Sequence, residues 1–246
     1  MSAFNCAIEG KTGMRREPYF VADLHSMPLE HFYVPAHYQD TLDGLLIPYG
    51  AITDRIEKLA YDITQDYNGQ TIHLICVLKG GSTFFGELCT AMKKFHNYAR
   101  EKYIPFTFDF IRVKSYEGTS STGNVKIDNC DVSTLAGKHV LFVEDIIDTG
   151  LTMSRLLAYL NDQIKPASVR VASLLEKRTH RSCGFKADYV GFSVPDAFAV
   201  GYCLDYNEVY RDLPHIAVIN QRGIDKFRDY EMGGSEKVTA KEDTKA

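Results

Sequence analysis

Two runs constrain this chain more than any others. His73-Leu-Ile-Cys-Val-Leu78 and His139-Val-Leu-Phe-Val143 are apolar almost without interruption. Each is too short for a packed helix and lacks the alternation of a half-exposed strand. Each therefore reads as a strand covered on both faces. Helical spacing lies around them. Ile52, Ile56, Leu59, Ala60 and Ile63 share one face, with Thr53 and Asp54 in the first turn. Phe84, Phe85, Leu88, Met92 and Phe95 share another, behind Ser82 as a cap. Met153, Leu156, Leu157 and Leu160 form a third. Further strands are predicted over 105–113, 169–175, 189–194, 199–204 and 216–219. Alternating strands and helices predict an α/β fold, a mostly parallel central sheet flanked by helices. Ligands bind such sheets at the carboxyl ends of the strands. Attention therefore falls on residues 79–81, 144–152, 176–178 and 205–211.

Outside the alternation, residues 1–40 carry Pro18, Pro28 and Pro35 and read as an irregular arm contributing to a hood. Residues 41–228 form the core together with C-terminal hood elements. Residues 229–246 are polar and charged, which predicts a disordered tail.

Composition narrows the partners. Lys and Arg total 28 against 32 Asp and Glu, a net charge of −4. That balance argues against holding nucleic acid by bulk charge. No segment reaches the roughly 20 apolar residues of a membrane helix. The first twenty residues contain no apolar run of the secretory kind. Cys6, Cys76, Cys89, Cys130, Cys183 and Cys203 form no C-x-x-C pair. They are expected to be reduced thiols of a cytoplasmic protein.

The strongest chemical signal is Glu144-Asp-Ile-Ile-Asp-Thr-Gly-Leu-Thr152. A buried strand delivers two carboxylates, Glu144 and Asp145. Asp148 comes three residues later. Thr149, Gly150, Leu151 and Thr152 then open a helix. Glycine permits close backbone approach, hydroxyls add donors, and a helix N-terminus favours anions, so the second half suits a phosphate. The carboxylates of the first half would repel one. A phosphorylated sugar resolves the conflict, because its diol donates to the acids while its phosphate meets the loop. Magnesium, a hard cation with a preference for oxygen, suits acids placed beside phosphoryl groups. The Gly-Lys-Ser/Thr ending of a Walker A loop is missing.

Residues 140–152 resemble the phosphoribosyl pyrophosphate signature of the type I phosphoribosyltransferases. Leu78-Lys-Gly-Gly81, Ser115-Tyr116, Val171–Thr179, Val200–Glu208 and Arg211-Asp212 also occur in order. Together they resemble the hypoxanthine-guanine branch of that family, from about residue 20 to about residue 230. The resemblance implies a type I phosphoribosyltransferase fold with a small hood subdomain. It implies transfer of a phosphoribosyl group to a 6-oxopurine, with magnesium as cofactor and homodimers or homotetramers as the assembly.

It also implies roles for matching positions. Glu144 and Asp145 would hold the ribose hydroxyls, and Thr149, Gly150, Leu151 and Thr152 the 5-phosphate. Asp148 would face N7 of the purine as acid and base. Lys79 and Gly80 would form the pyrophosphate turn, whose peptide is cis in relatives, and Arg211 would touch the same group. Asp205 would bind magnesium, together with Glu144 and Asp145. Lys177 would donate to the purine O6, Phe198 would stack on the base, and Ala199 would offer it backbone groups. Ser115 and Tyr116 would lie in a closing loop. Leu151 stands where relatives often carry lysine, which implies altered affinity rather than lost activity; Ala197 replaces another such lysine, a departure that bears on the fine purine preference. Glu176 before Lys177 is a further departure. Two alternatives share the resemblance: a non-catalytic regulator that senses phosphoribosyl pyrophosphate, and an enzyme that prefers xanthine.

Overall fold

The computed structural model describes residues 15–67, 69–98, 106–114, 126–128 and 131–230. The chain begins with β1 (Tyr19–Phe20), β2 (Leu42–Ile47) and α1 (Tyr49–Tyr67). Then come β3 (Ile72–Val77), α2 (Ser82–Tyr98), β4 (Phe106–Lys114) and β5 (Lys126–Asp128). The second half holds β6 (His139–Ile147), α3 (Leu151–Tyr159), β7 (Ser168–Lys177) and β8 (Tyr189–Val194). It closes with β9 (Ala199–Val200), β10 (Ile216–Ile219) and α4 (Gln221–Lys226). The central sheet runs β1-β8-β7-β6-β3-β4-β5, and only the β4–β5 pair is antiparallel.

Burial explains the unbroken apolar runs. Leu74 and Cys76 of β3, with Leu141 and Val143 of β6, pack into the cluster that contains α1 and α2. Ile75, Val77, Val140 and Phe142, the alternate residues, pack into the cluster that contains α3. Both faces of each strand are dry, so neither face can be polar. A second sheet, β2-β10-β9, is antiparallel and forms the small subdomain. Its core joins Leu42, Leu45, Val200, Leu213, Ala217 and Ile219 to Tyr38 and Tyr210. The arm touches both sheets: Tyr19 and Phe20 pair with β8, and Met27 bridges to Leu45.

The structure departs from the sequence expectations at several points. β2 and α4 had no predicted counterpart. The strand expected over 199–204 stops at Val200, because Gly201, Tyr202 and Cys203 all take positive φ and turn the chain. β6 continues through Glu144 and Asp145 to Ile147, since its pairing with β7 persists to the Ile147–Glu176 register. Ser82 is the first residue of α2, and its hydroxyl meets Cys203 Sγ at 3.3 Å. The tail from residue 231 onward lies outside the described residues.

Glu176 now has an explanation. It is the penultimate residue of β7 and only 5% exposed. Arg15 donates to it at 2.9 Å and Lys186 at 2.7 Å. Burial alone would raise its pKa, but the two charged hydrogen bonds outweigh burial and hold it below the ordinary value. It ties the arm and the β7–β8 connection to the strand that carries Lys177. A depressed carboxyl stabilises the fold above its unfolded pKa, and that contribution disappears as the pH falls. Glu176→Gln should therefore lose about 1.5–3 kcal/mol at neutral pH, the usual range for hydrogen bonds to a charged group. In urea titrations the gap from wild type should shrink as the pH drops below 4.5.

Candidate active site

Strand register assembles the site. β3 and β6 pair up to Cys76–Val143, so the turn after β3 emerges beside Glu144 and Asp145. β6 and β7 pair to Ile147–Glu176, which sets Asp148 beside Lys177. β7 and β8 pair to Lys177–Val194, which brings Asp196 alongside. Four parallel strands thus deliver their charged residues to one edge of the sheet, as the strand-exit rule requires.

The first part is the turn against the acidic pair. The Leu78–Lys79 peptide bond is cis. A Cβ on Gly80 would collide with the Asp145 carboxylate, and one on Gly81 would lie 2.6 Å from the Val77 carbonyl. No other residue type fits this approach. Asp145 Oδ1 accepts a hydrogen bond from the Ile146 N–H at 2.8 Å. Glu144 Oε2 is buried with no hydrogen-bond partner. Burial, with Asp145 next, pushes the Glu144 carboxyl well above its ordinary range. Burial likewise lifts Asp145 to about 6. An orphaned carboxylate oxygen at a strand exit is an acceptor awaiting a donor.

The second part is the loop after β6. Gly150 caps α3 in the left-handed region, φ +78°. A Cβ there would lie 2.7 Å from Phe185 Cβ. Thr149 holds the loop through two contacts: its carbonyl accepts from the Cys183 N–H at 2.8 Å, and its hydroxyl accepts weakly from the Leu151 N–H at 3.4 Å. Leu151 and Thr152 are exposed in the first helical turn. Anions are favoured at such a terminus.

The third part is the pair of Lys177 and Asp148. Lys177 Nζ lies 3.4 Å from Asp148 Oδ2 and 4.0 Å from Asp196 Oδ1. Phe198 stands nearby in sequence, just before β9. Its ring is 48% exposed and meets Tyr206 edge-on at 5.6 Å. Ala199 is buried in the β9–β10 ladder.

The fourth part comes from the hood turn. Tyr202, Cys203, Asn207, Glu208 and Tyr210 all have positive φ. Non-glycine residues in that region persist only where their surroundings over-determine them, often at functional sites. Here the ties are ionic. Arg211 pairs with Asp205 at 2.8 Å and with Glu208 at 3.2 Å, and it donates to the Cys203 carbonyl at 2.6 Å. Lys79 reaches across to Glu208 at 2.9 Å. Hydrogen bonds from Arg211 and Lys79 pull the Glu208 carboxyl down to about 2. The two cations expected to meet pyrophosphate therefore share one carboxylate of this chain.

Comparison with known proteins agrees with this arrangement. Residues 48–207 match the phosphoribosyl transferase domain family. The chain belongs to the phosphoribosyltransferase family. This phosphoribosyltransferase is 52% identical over 201 residues to the hypoxanthine-guanine phosphoribosyltransferase of Bos taurus, covering 81% of this chain and 91% of that one. It is 48% identical over 214 residues to the hypoxanthine-guanine-xanthine phosphoribosyltransferase of Plasmodium falciparum, covering 86% and 92%. Among solved structures it resembles the hypoxanthine-guanine phosphoribosyltransferase of Schistosoma mansoni in complex with IMP. The TM-score is 0.72 at 38% identity, over 86% of this chain and 99% of that one.

The structure brings Lys79, Gly80, Glu144, Asp145, Asp148, Lys177, Asp205 and Arg211 to the ends of these strands and the hood turn. Ser115 and Tyr116 lie outside the described residues. Glu208, Arg181 and Asp196 were missed. Asp196 stands two residues past the end of β8, so the strand-exit rule applied to that strand would have found it. Glu208 and Arg181 sit in turns whose course no sequence pattern fixes. Glu144, Asp145 and Asp205 are hard oxygen donors of the type magnesium takes. Among the described residues no three acidic, His or Cys side chains converge into a cage. Magnesium commonly binds through one or two carboxylates plus substrate phosphates, and these residues fit that mode.

Two predictions follow from the charges. A carboxyl with a raised pKa costs stability as the pH climbs from its ordinary value to the raised one, and the cost is constant above that. Asp145→Asn should raise the melting temperature by an amount that grows between pH 3.8 and about 6 and then stays constant, with little change in stronger acid, read by calorimetry across pH. Glu208→Gln should change stability little, since exposed pairs contribute ~0–1 kcal/mol. It should nonetheless tighten pyrophosphate binding several-fold in titration calorimetry, because Lys79 and Arg211 no longer have to leave a carboxylate.

Proposed function

We propose that this phosphoribosyltransferase moves the 5-phosphoribosyl group of phosphoribosyl pyrophosphate to hypoxanthine or guanine. The products are IMP or GMP and pyrophosphate, a purine-salvage reaction. The observation that carries this reading is the Lys177–Asp148 pair, set beside the Glu144–Asp145 strand exit and the Gly150 loop. One end of the site offers acceptors for a diol and donors for a phosphate. The other offers a cation and a carboxylate at hydrogen-bonding distance from each other, suited to the O6 and N7 edge of a 6-oxopurine.

In this mechanism Glu144 and Asp145 accept from the ribose hydroxyls, and the Glu144 oxygen that lacks a partner gains one. Thr149, Gly150, Leu151 and Thr152 hold the 5-phosphate by backbone and hydroxyl donors. Lys79 and Arg211 exchange Glu208 for the diphosphate and stabilise its charge as the glycosidic bond breaks. Asp205, Glu144 and Asp145 would hold magnesium, which supplies neutralisation of the diphosphate when bound. The purine attacks the ribose carbon while Asp148 takes the N7 proton. Phe198 stacks on the base and Ala199 supplies backbone groups to it. The segment containing Ser115 and Tyr116 would close over the reacting centre and keep water from the electrophilic sugar.

Lys177 sets the purine class. It donates to a 6-oxo group, whereas the 6-amino group of adenine is itself a donor and leaves the lysine unpaired. Lys177 is only 10% exposed, so that mismatch would be expensive. The proposal extends to a cytoplasmic location, supported by the unbridged thiols of Cys76, Cys89 and Cys203. It also extends to assembly as a dimer or tetramer, supported by the exposed rings of Phe108 and Phe110 on β4. Use of xanthine as a third base is favoured by the likeness to the Plasmodium falciparum enzyme of that name.

The deciding experiment is nucleotide formation from hypoxanthine, guanine, xanthine and adenine with phosphoribosyl pyrophosphate and magnesium. Hypoxanthine and guanine should react and adenine should not. Lys177→Ala should lower kcat/KM for the 6-oxopurines by about 10² or more and narrow their advantage over adenine. Absence of any product would leave the regulator reading in its place, and adenine as best substrate would refute the role of Lys177.

A further inference from the structure

Asp148 lies between two cations, one on each carboxylate oxygen. Lys177 Nζ faces Oδ2 at 3.4 Å, and Arg181 Nη2 faces Oδ1 at 3.6 Å. The two contacts differ in what happens when a base arrives. Under the proposed function Lys177 turns to the purine O6, so its hold on Asp148 weakens at the moment the proton is to be moved. Arg181 has no such second duty in the site. Asp148 Oδ1, the oxygen that it faces, is buried and makes no hydrogen bond.

The guanidinium of Arg181 is also held in place. Its Nε–H donates to the Thr179 hydroxyl oxygen at 3.3 Å, and its backbone N–H donates to the same oxygen at 3.3 Å. Its Nη2 lies 3.5 Å from Asp196 Oδ1. Thr179 in turn donates its hydroxyl to Asp196, and that hydrogen bond is the largest influence holding the Asp196 carboxyl below its ordinary range. Asp196 is fixed at the exit of β8 by the Lys177–Val194 register. A planar fork anchored at one edge and aimed at a carboxylate with the other is the arrangement for which arginine, not lysine, is suited. The 3.6 Å separation is longer than a hydrogen bond, as such contacts commonly are before substrate binds.

We propose that Arg181 is a positioning residue for Asp148. Anchored by Thr179 and Asp196, it holds the Asp148 carboxylate oriented toward the purine N7 after Lys177 has been drawn to the base. This role rests on the proposed function, and it deepens the account of that site. Arg181 touches neither the substrate nor the reacting atoms, so its effect must pass through Asp148.

A double-mutant cycle tests this directly. The measurement is the single-turnover rate of IMP formation from hypoxanthine, phosphoribosyl pyrophosphate and magnesium. The proteins are wild type, Arg181→Ala, Arg181→Lys, Asp148→Asn and the Arg181→Ala/Asp148→Asn pair. Asp148→Asn should slow the reaction by ~10²–10⁴. Arg181→Ala should slow it about tenfold with the KM for hypoxanthine changed by less than about twofold, and Arg181→Lys should recover part of the loss. In the Asp148→Asn background, Arg181→Ala should change nothing further. The same fold-loss in both backgrounds would overturn the proposal and assign Arg181 to support of its own turn. A raised KM with an unchanged rate would overturn it too, by placing Arg181 in base binding. Wild type that forms no IMP would refute the function itself, an outcome separate from either of these.

Discussion

Gly80 and Asp145 compete for the same space, and the site depends on how that competition is settled. The carboxylate occupies the volume that a side chain at position 80 would fill, and position 81 is closed by the Val77 and Val143 carbonyls. This contact exists because β3 and β6 are adjacent parallel strands whose pairing stops at Cys76–Val143, so the turn after β3 lies against Glu144 and Asp145 where β6 runs on. Their register sets a turn rich in backbone donors against two acids. Neither half of that arrangement makes sense alone. A pair of half-buried carboxylates is costly, and the raised pKa values of Glu144 and Asp145 express the cost. Under the proposed function, a ligand carrying hydroxyls and a cation would offset it.

The remaining charges of the site are met within the chain. Lys79 and Arg211 share Glu208, Arg211 also holds Asp205, and Lys177 rests on Asp148. Under the proposed function, binding a polyanion and a base would therefore exchange partners instead of creating charge pairs from solvated ions. Such exchange keeps the site folded and poised while limiting the net affinity for substrate and product. The left-handed residues between Tyr202 and Tyr210 fit the same scheme. They bend the hood turn so that Asp205, Glu208 and Arg211 face the sheet, at a backbone cost carried by Leu213, Val209 and Tyr210 in the hood core.

Much of this was legible beforehand. The continuous apolar strands announced a sheet covered on both faces. The nine-residue acid-hydroxyl-glycine segment announced its chemistry, because carboxylates, a left-handed glycine and a helix start are local properties. β2 was not legible: Leu42–Ile47 is short, carries Asp43 and Gly44, and is held by pairing with β10, a partner over 160 residues away. The truncated strand at Val200 was missed for a related reason. Its apolar run continues to Leu204, but the turn there is imposed by hood packing and by the contact of Gly201 with the His215 carbonyl.

The sequence by itself determined the parallel sheet, and it marked the strand exits and the acid-hydroxyl-glycine segment on which the proposed site rests. Those depend on periodicity and on the chemistry of neighbouring residues. Only the tertiary structure decided that Glu176 anchors the arm, that Glu208 occupies the cations of the pyrophosphate turn, and that Arg181 and Asp196 frame Asp148. Each of those is a pairing between side chains on different elements. Its geometry follows from strand register and turn conformation, and neither is encoded in the spacing of residues along one segment.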